Sequence, residues 1–169
     1  MTLEALNQLP PPEAAAALLA CCGSRRWAIA MVAARPFADP DAILAKGDAV
    51  WAALAPADWL EAFAAHPRIG EGAGRAGRAG RAGEERAEAW SRGEQAGVED
   101  ASRARLAALN RDYEARFGYT FIVCATGRSG AEMMAMLERR IGNNPSDELR
   151  EAAEEQRQIT RLRLAKLLT

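Results

Sequence analysis

Apolar residues recur at three- and four-residue steps through most of the chain, punctuated by proline, glycine and short polar residues. Pro10-Pro11-Pro12 reads as an entry turn, and residues 13–22 as an alanine-rich helix begun by proline. Gly23-Ser24 breaks it, and the Ser24 hydroxyl can cap a second helix over 25–34, which Arg35-Pro36-Phe37 stops. Asp39-Pro40 opens a third helix with an aspartate cap and proline at the first helical position; it carries Ile43, Leu44, Val50, Trp51 and Leu54. Pro56 or Ala57 begins a short fourth. A residue before proline is pushed out of the α region, so this helix is expected to end at His66, ahead of Pro67.

Residues 98–117 predict a long amphipathic helix, with Leu106, Leu109, Tyr113 and Phe117 at helical steps and Gly118 as its stop. Residues 119–125, Tyr-Thr-Phe-Ile-Val-Cys-Ala, are the one strand-like run. With no obvious partner strand, they read as a buried extended crossing. Ser129 caps a helix carrying Met133, Met134, Met136, Leu137 and Ile141. Asn143-Asn144-Pro145-Ser146 is a turn, with Ser146 expected to cap a last helix running to about Leu167. The fold class is therefore all-α: a single-domain helical bundle of about eight helices over 1–169, with a short extended segment near 119–125.

One stretch breaks the pattern. Residues 74–83 are a Gly-Arg-Ala tandem repeat without apolar periodicity, which predicts a flexible surface loop at 72–83. An arginine-rich RNA-binding patch is the alternative, but the run has no aromatic residue on which a base could stack.

Composition agrees with a helical globule. Of 169 residues, 49% are hydrophobic and 27% charged, and β-branched residues are scarce. A formal net charge of -1 gives no reason for broad binding to nucleic acid or to an anionic membrane. No apolar run approaches the roughly 20 residues that cross a bilayer. The first residues lack the basic start of a secretion signal, and the last are not a Ser-Lys-Leu address. Cys21, Cys22 and Cys124 are the only cysteines, and with a single histidine they offer no zinc spacing, so a reduced, cytoplasmic setting is expected. A catalytic Cys124–His66 pair is conceivable, but free cysteine more often packs as a small hydrophobe.

Three residues stand out chemically. His66 is the only histidine, and imidazole is the side chain whose ordinary pKa lies nearest neutrality. Its bland alternative is favourable placement at a helix C-terminus. On the last helix, Ile159, Leu149 and Leu167 fall within about 40° of Arg163, and Ala152 and Gln156 closer still. Arg163 thus points where the apolar residues point. It either meets an anion, from protein or ligand, or snorkels from the edge of the core. Ser91-x-x-Glu94 matches a capping box, yet Gly93 and Gly97 suit a loop that presents Glu94 and Gln95.

Taken in order, His66-Pro67-Arg68-Ile69-Gly70, Ser91-x-x-Glu94-Gln95-Ala96-Gly97, Asn110-x-x-Tyr113-x-x-Arg116-Phe117-Gly118-Tyr119-x-Phe121-Ile122-Val123-Cys124-Ala125 and Arg163-Leu164 closely resemble one family. It is the 2-oxo-4-hydroxy-4-carboxy-5-ureidoimidazoline (OHCU) decarboxylases of urate breakdown. The resemblance implies an all-helical homodimer with no metal or cofactor, a small anionic ureidoimidazoline as substrate, and (S)-allantoin and carbon dioxide as products. It implies catalytic roles for His66, Glu94 and Arg163, with Glu94 orienting the imidazole and raising its pKa. It implies substrate contacts from Pro67, Ser91, Gln95, Phe121, Ile122, Val123, Cys124 and Ala125, those of the last segment partly through backbone groups. Two departures are visible: the Gly-Arg-Ala stretch looks like extra length, and Tyr119-Thr120 stands where the family often has Phe-Pro. A non-catalytic helical interaction module on the same scaffold, or a related lyase with another substrate, are the competing readings.

Overall fold

The computed structural model describes residues 1–68 and 100–169. Among these residues it is all helical, with α1 (Leu3–Gln8), α2 (Pro11–Cys22), α3 (Arg25–Ala33), α4 (Pro40–Ala52), α5 (Pro56–Ala64), α6 (Asp100–Phe117), α7 (Gly130–Arg140) and α8 (Pro145–Leu167). The expected loop at 72–83 lies outside the described residues. No described helix is long and apolar enough to cross a membrane.

Most helix starts follow the local chemistry. The side chains of Ser24, Asp39 and Ser129 accept the backbone N–H of Trp27, Ala42 and Glu132. The last helix corrects the expected cap. Asn144, not Ser146, accepts from the N–H of Asp147, at 3.0 Å, and Pro145 takes the first helical position. Proline's fixed φ favours that first position, so the cap falls one residue before it.

The N-terminus also departs from expectation. The region before the prolines forms α1, and α2 starts at Pro11 rather than Glu13. A helix of six residues is too short to hold itself in water. Distant groups hold it here: Arg35 Nη1 donates to the carbonyls of Leu6 and Leu9 at 2.7 and 2.8 Å, and Leu6 is fully buried.

The core is in two parts. The larger gathers residues of α1 to α5 and α8, including Leu18, Cys22, Trp27, Phe63, Ile159 and Leu164. The smaller gathers Leu106 and Tyr113 of α6 with Met133 and Leu137 of α7. The 119–125 segment runs between them, and its side chains alternate as extended backbone requires. Ile122 and Cys124 pack into the larger part, Phe121, Val123 and Ala125 into the smaller.

Two glycines allow close approaches. Gly23 ends α2 at φ +86°, and a Cβ there would lie 2.8 Å from the Cβ of Ala65, so the end of α2 abuts the end of α5. Gly47 lets α4 close on α3 and α8: its Cβ would meet Trp27 and Leu164 atoms at 3.3 Å, and its carbonyl accepts from Trp27 Nε1 at 3.0 Å.

Candidate active site

α5 ends at Ala64, two residues earlier than expected, and closes in a turn in which the N–H of Ala65 and His66 donate to Ala62 and Phe63 carbonyls at 3.2 and 3.1 Å. His66 and Pro67 therefore leave the helix end on a defined path, fixed further by the contact of Ala65 with Gly23. The residue keeps some exposed surface, but its Nε2 is sealed from solvent and has no hydrogen-bond partner among the described residues.

α8 supplies the groups around the ring. Gln156, Thr160 and Arg163 follow at steps of four and three on one face, and are 0%, 5% and 2% exposed. Arg163 is thus inside rather than snorkelling. Gln156 Nε2 donates to the carbonyl of Cys22 at 3.3 Å and to Thr160 Oγ1 at 3.2 Å, while its Oε1 is buried and unpartnered among the described residues.

The electrostatics of this cluster are directional. Burial, and secondarily the Arg163 guanidinium, push His66 down to about 3; contact with Gln156 acts the other way. The ring is therefore neutral at pH 7. Sequence reasoning expected Glu94 to raise this pKa, but Glu94 lies outside the described residues, and the strongest described influences act downward. Burial pushes the Cys22 thiol up to about 12, with Arg163 among the opposing influences, so it is no nucleophile.

Among the described residues the 119–125 segment has no partner strand, and side chains satisfy its backbone instead. Phe121 N–H donates to Asn110 Oδ1 at 3.1 Å, Ile122 O accepts from Arg140 Nη1 at 2.7 Å, and Cys124 N–H donates to Glu155 Oε2 at 2.7 Å. Arg140 and Glu148 behind it form an ion pair that is fully buried on both sides. Glu155 also pairs with Arg128 at 3.0 Å. Since Phe121, Val123 and Ala125 point into the smaller core, any contact they make with a small molecule comes from their backbone.

A cleft of about 450 Å³ opens beside His66, lined also by Leu60, Ala64, Arg68, Glu114, Gly118, Tyr119 and Thr120. Arg68 and Glu114 pair across it at 2.6 Å. Of the expected site residues that the structure describes, only His66 is on its wall. The structure thus brings His66 and Arg163 together and holds the 121–125 segment rigid, while Ser91, Glu94 and Gln95 fall outside the described residues. Sequence reasoning placed Gln156 on the inward face of α8 but gave it no role, and it passed over Glu148 and Glu155, which are buried on the same helix and which the wheel that singled out Arg163 could have flagged. Among the described residues no three His, Cys, Asp or Glu side chains are gathered to hold a metal.

The sequence pattern of the OHCU decarboxylase family matches residues 7–165. A uric acid degradation bifunctional protein of Arabidopsis thaliana is 38% identical over 152 residues, which are 88% of this chain and 45% of that protein. A 2-oxo-4-hydroxy-4-carboxy-5-ureidoimidazoline decarboxylase of Amia calva is 39% identical over 83 residues, 46% of this chain and 47% of its own. The matches thus span about half the length of these two relatives. A crystal structure of OHCU decarboxylase in the presence of (S)-allantoin superposes with a TM-score of 0.75 and 34% identity, covering 90% of this chain and 97% of that one. A crystal structure of (S)-allantoin synthase shares the fold, with a TM-score of 0.70 at 20% identity, over 99% of this chain and 54% of that one.

Proposed function

The chain belongs to the OHCU decarboxylase family, and on that premise we propose that it decarboxylates 2-oxo-4-hydroxy-4-carboxy-5-ureidoimidazoline to (S)-allantoin and carbon dioxide in urate breakdown, without a cofactor. The observation that carries this reading is the convergence of the only histidine with the buried Arg163, from stretches nearly a hundred residues apart.

The chemistry suits such a site. Loss of carbon dioxide leaves an electron pair on the ring carbon that bore the carboxylate, and the adjacent carbon–nitrogen double bond accepts it. An enol with a ring nitrogen anion results. The nitrogen takes one proton from outside; the enol hydroxyl then gives up its proton as the ureido-bearing carbon gains one. A neutral His66 can take the hydroxyl proton, and the weakly held proton of the resulting imidazolium passes readily to carbon. Delivery to one face sets the (S) configuration. Arg163 stabilises charge developing on the ring or its oxygens, because a cation clamped on the departing carboxylate would favour the ground state. Glu94, the carboxylate partner of the histidine, favours the imidazolium while it holds the hydroxyl proton, and Pro67, Ser91, Gln95 and the backbone of Phe121, Ile122, Val123, Cys124 and Ala125 hold the substrate.

The wider setting belongs to the same proposal. Residues 1–169 act as one domain with a Gly-Arg-Ala loop, as a homodimer by resemblance to the family. Three unbridged, buried cysteines support a reduced cytoplasmic setting.

Circular dichroism at allantoin wavelengths tests the activity. Fresh urate is passed through oxidase and hydroxyisourate hydrolase, with and without this protein, and the racemic spontaneous product is subtracted. His66→Asn is expected to lower turnover by about 100-fold or more. Stereospecific allantoin formation at the wild-type rate by that variant would remove the role of His66. If Arg163→Lys lost binding but kept its kcat, the transition-state role of Arg163 would be wrong.

A further inference from the structure

We propose that Gln156 is the positioning residue of His66: its amide oxygen accepts from Nε2–H, locking the ring in the tautomer whose Nδ1 carries the lone pair. Three observations lead there. The orientation of the Gln156 amide is set by the Cys22 carbonyl, which can only accept, so the NH2 group must face it. Thr160 Oγ1 takes the other proton of that group. Turning the amide over would set oxygen against oxygen, so Oε1 faces the opposite way, buried and lacking a donor among the described residues.

His66 Nε2 has the matching deficit: it is buried and lacks a hydrogen-bond partner among the described residues. The two side chains are within interaction range, and the contact favours the protonated ring, as an oxygen acceptor would. If Nε2 carried the lone pair, two acceptors would face each other in a sealed space; an N–H there satisfies both. The restraint runs from α2 through α8 to the turn after α5, so the tautomer is set by tertiary packing.

The catalytic consequence rests on the proposed decarboxylase reading. A bare Nδ1 is the atom that takes the hydroxyl proton and returns one to carbon. The tautomer itself does not depend on that reading.

Because His66 is the only histidine, a two-bond 1H–15N spectrum of histidine-labelled protein at pH 7 reports its tautomer without assignment. The expected wild-type spectrum has the proton on Nε2 and a bare Nδ1. Gln156→Leu should mix the tautomers and lower kcat by about 100-fold, the low end of what acid–base catalysis contributes, with KM little changed. Gln156→Glu keeps an acceptor, so it should keep the tautomer and move the acid limb of the pH–rate profile upward. Among the described residues, the other charged or titratable groups about the ring are Arg163 of α8, Cys22 of α2 beside that guanidinium, and Arg68, Glu114 and Tyr119 on the cleft wall. A wild-type proton on Nδ1, or an unchanged tautomer in Gln156→Leu, would overturn the assignment. Should Gln156→Leu fail to fold, the wild-type and Gln156→Glu spectra decide. Expected spectra from a protein that forms no allantoin would uphold the tautomer and sink the decarboxylase reading.

Discussion

Arg139 and Arg140 are neighbours on α7, and each pairs with a glutamate of α8, yet removing them should have very different costs. Arg140 is fully buried. Its Nε and Nη2 donate to Glu148 Oε1 at 2.9 and 2.5 Å, its Nη1 holds the Ile122 carbonyl, and its guanidinium lies 4.6 Å from the Phe121 ring centre. Arg139 reaches Glu151 with side chains 56% and 29% exposed. Among the described residues, Arg140→Met leaves a buried carboxylate with only the Tyr113 hydroxyl and the Asn143 amide as donors, and strips the Ile122 carbonyl of the Arg140 N–H. Breaking a buried pair from one side costs about 3–5 kcal/mol. An exposed pair is worth roughly 0–1 kcal/mol, so Arg139→Met should stay within that range. Urea unfolding of both variants at pH 7, analysed for midpoint and slope, measures the difference. The double variant Arg140→Met/Glu148→Met should lose less than the sum of the two single ones, since it strands no charge. If Arg140→Met came within about 1 kcal/mol of Arg139→Met, the argument that burial governs these pairs would fail.

Acid should expose the histidine. The folded-state pKa of about 3 lies below the ordinary value of about 6.5, so the unfolded chain binds the proton first. Stability is then complete above about pH 6.5 and is lost as pH falls towards 3, by at most about 1.4 kcal/mol per pH unit. Between pH 5 and 6.5, above the range where paired carboxylates such as Glu114 titrate, His66→Asn should flatten this slope in urea melts; an equal slope in both proteins would show that the ring is not buried neutral. Gly23→Ala sets a side chain at φ +86° and 2.8 Å from Ala65, one residue before His66. It should cost about 1–3 kcal/mol in thermal melts and lower allantoin turnover as well. Tyr119→Phe removes a buried hydroxyl without a hydrogen-bond partner among the described residues, and should be neutral or stabilise by about 1 kcal/mol. Destabilisation beyond about 1 kcal/mol would mean that the hydroxyl has a partner.

Much of the fold could be read from local chemistry. Ser24, Asp39 and Ser129 cap the helices they were expected to cap, because a cap needs only a side-chain oxygen and an N–H two or three residues on. The 119–125 crossing was visible as an apolar run without a partner, although the groups that satisfy it were not. They come from Asn110, Arg140 and Glu155, up to 31 residues away. The inward aim of Arg163 was legible from helical period alone, as was the singular status of His66.

What the chain by itself determined is therefore its helical class, most of its helix boundaries, its extended crossing and the motifs that relate it to a family. These depend on interactions within a turn or two, or on matching residues in order. Only the tertiary structure decided that α1 exists, that Arg140 and Glu148 are buried as a pair, and that the Cys22 carbonyl orients Gln156 beside His66. Each of these depends on which surfaces exclude water together. Desolvation turns an ordinary amide, carboxylate or imidazole into a group that must be answered by another, and that environment exists only once distant helices have packed.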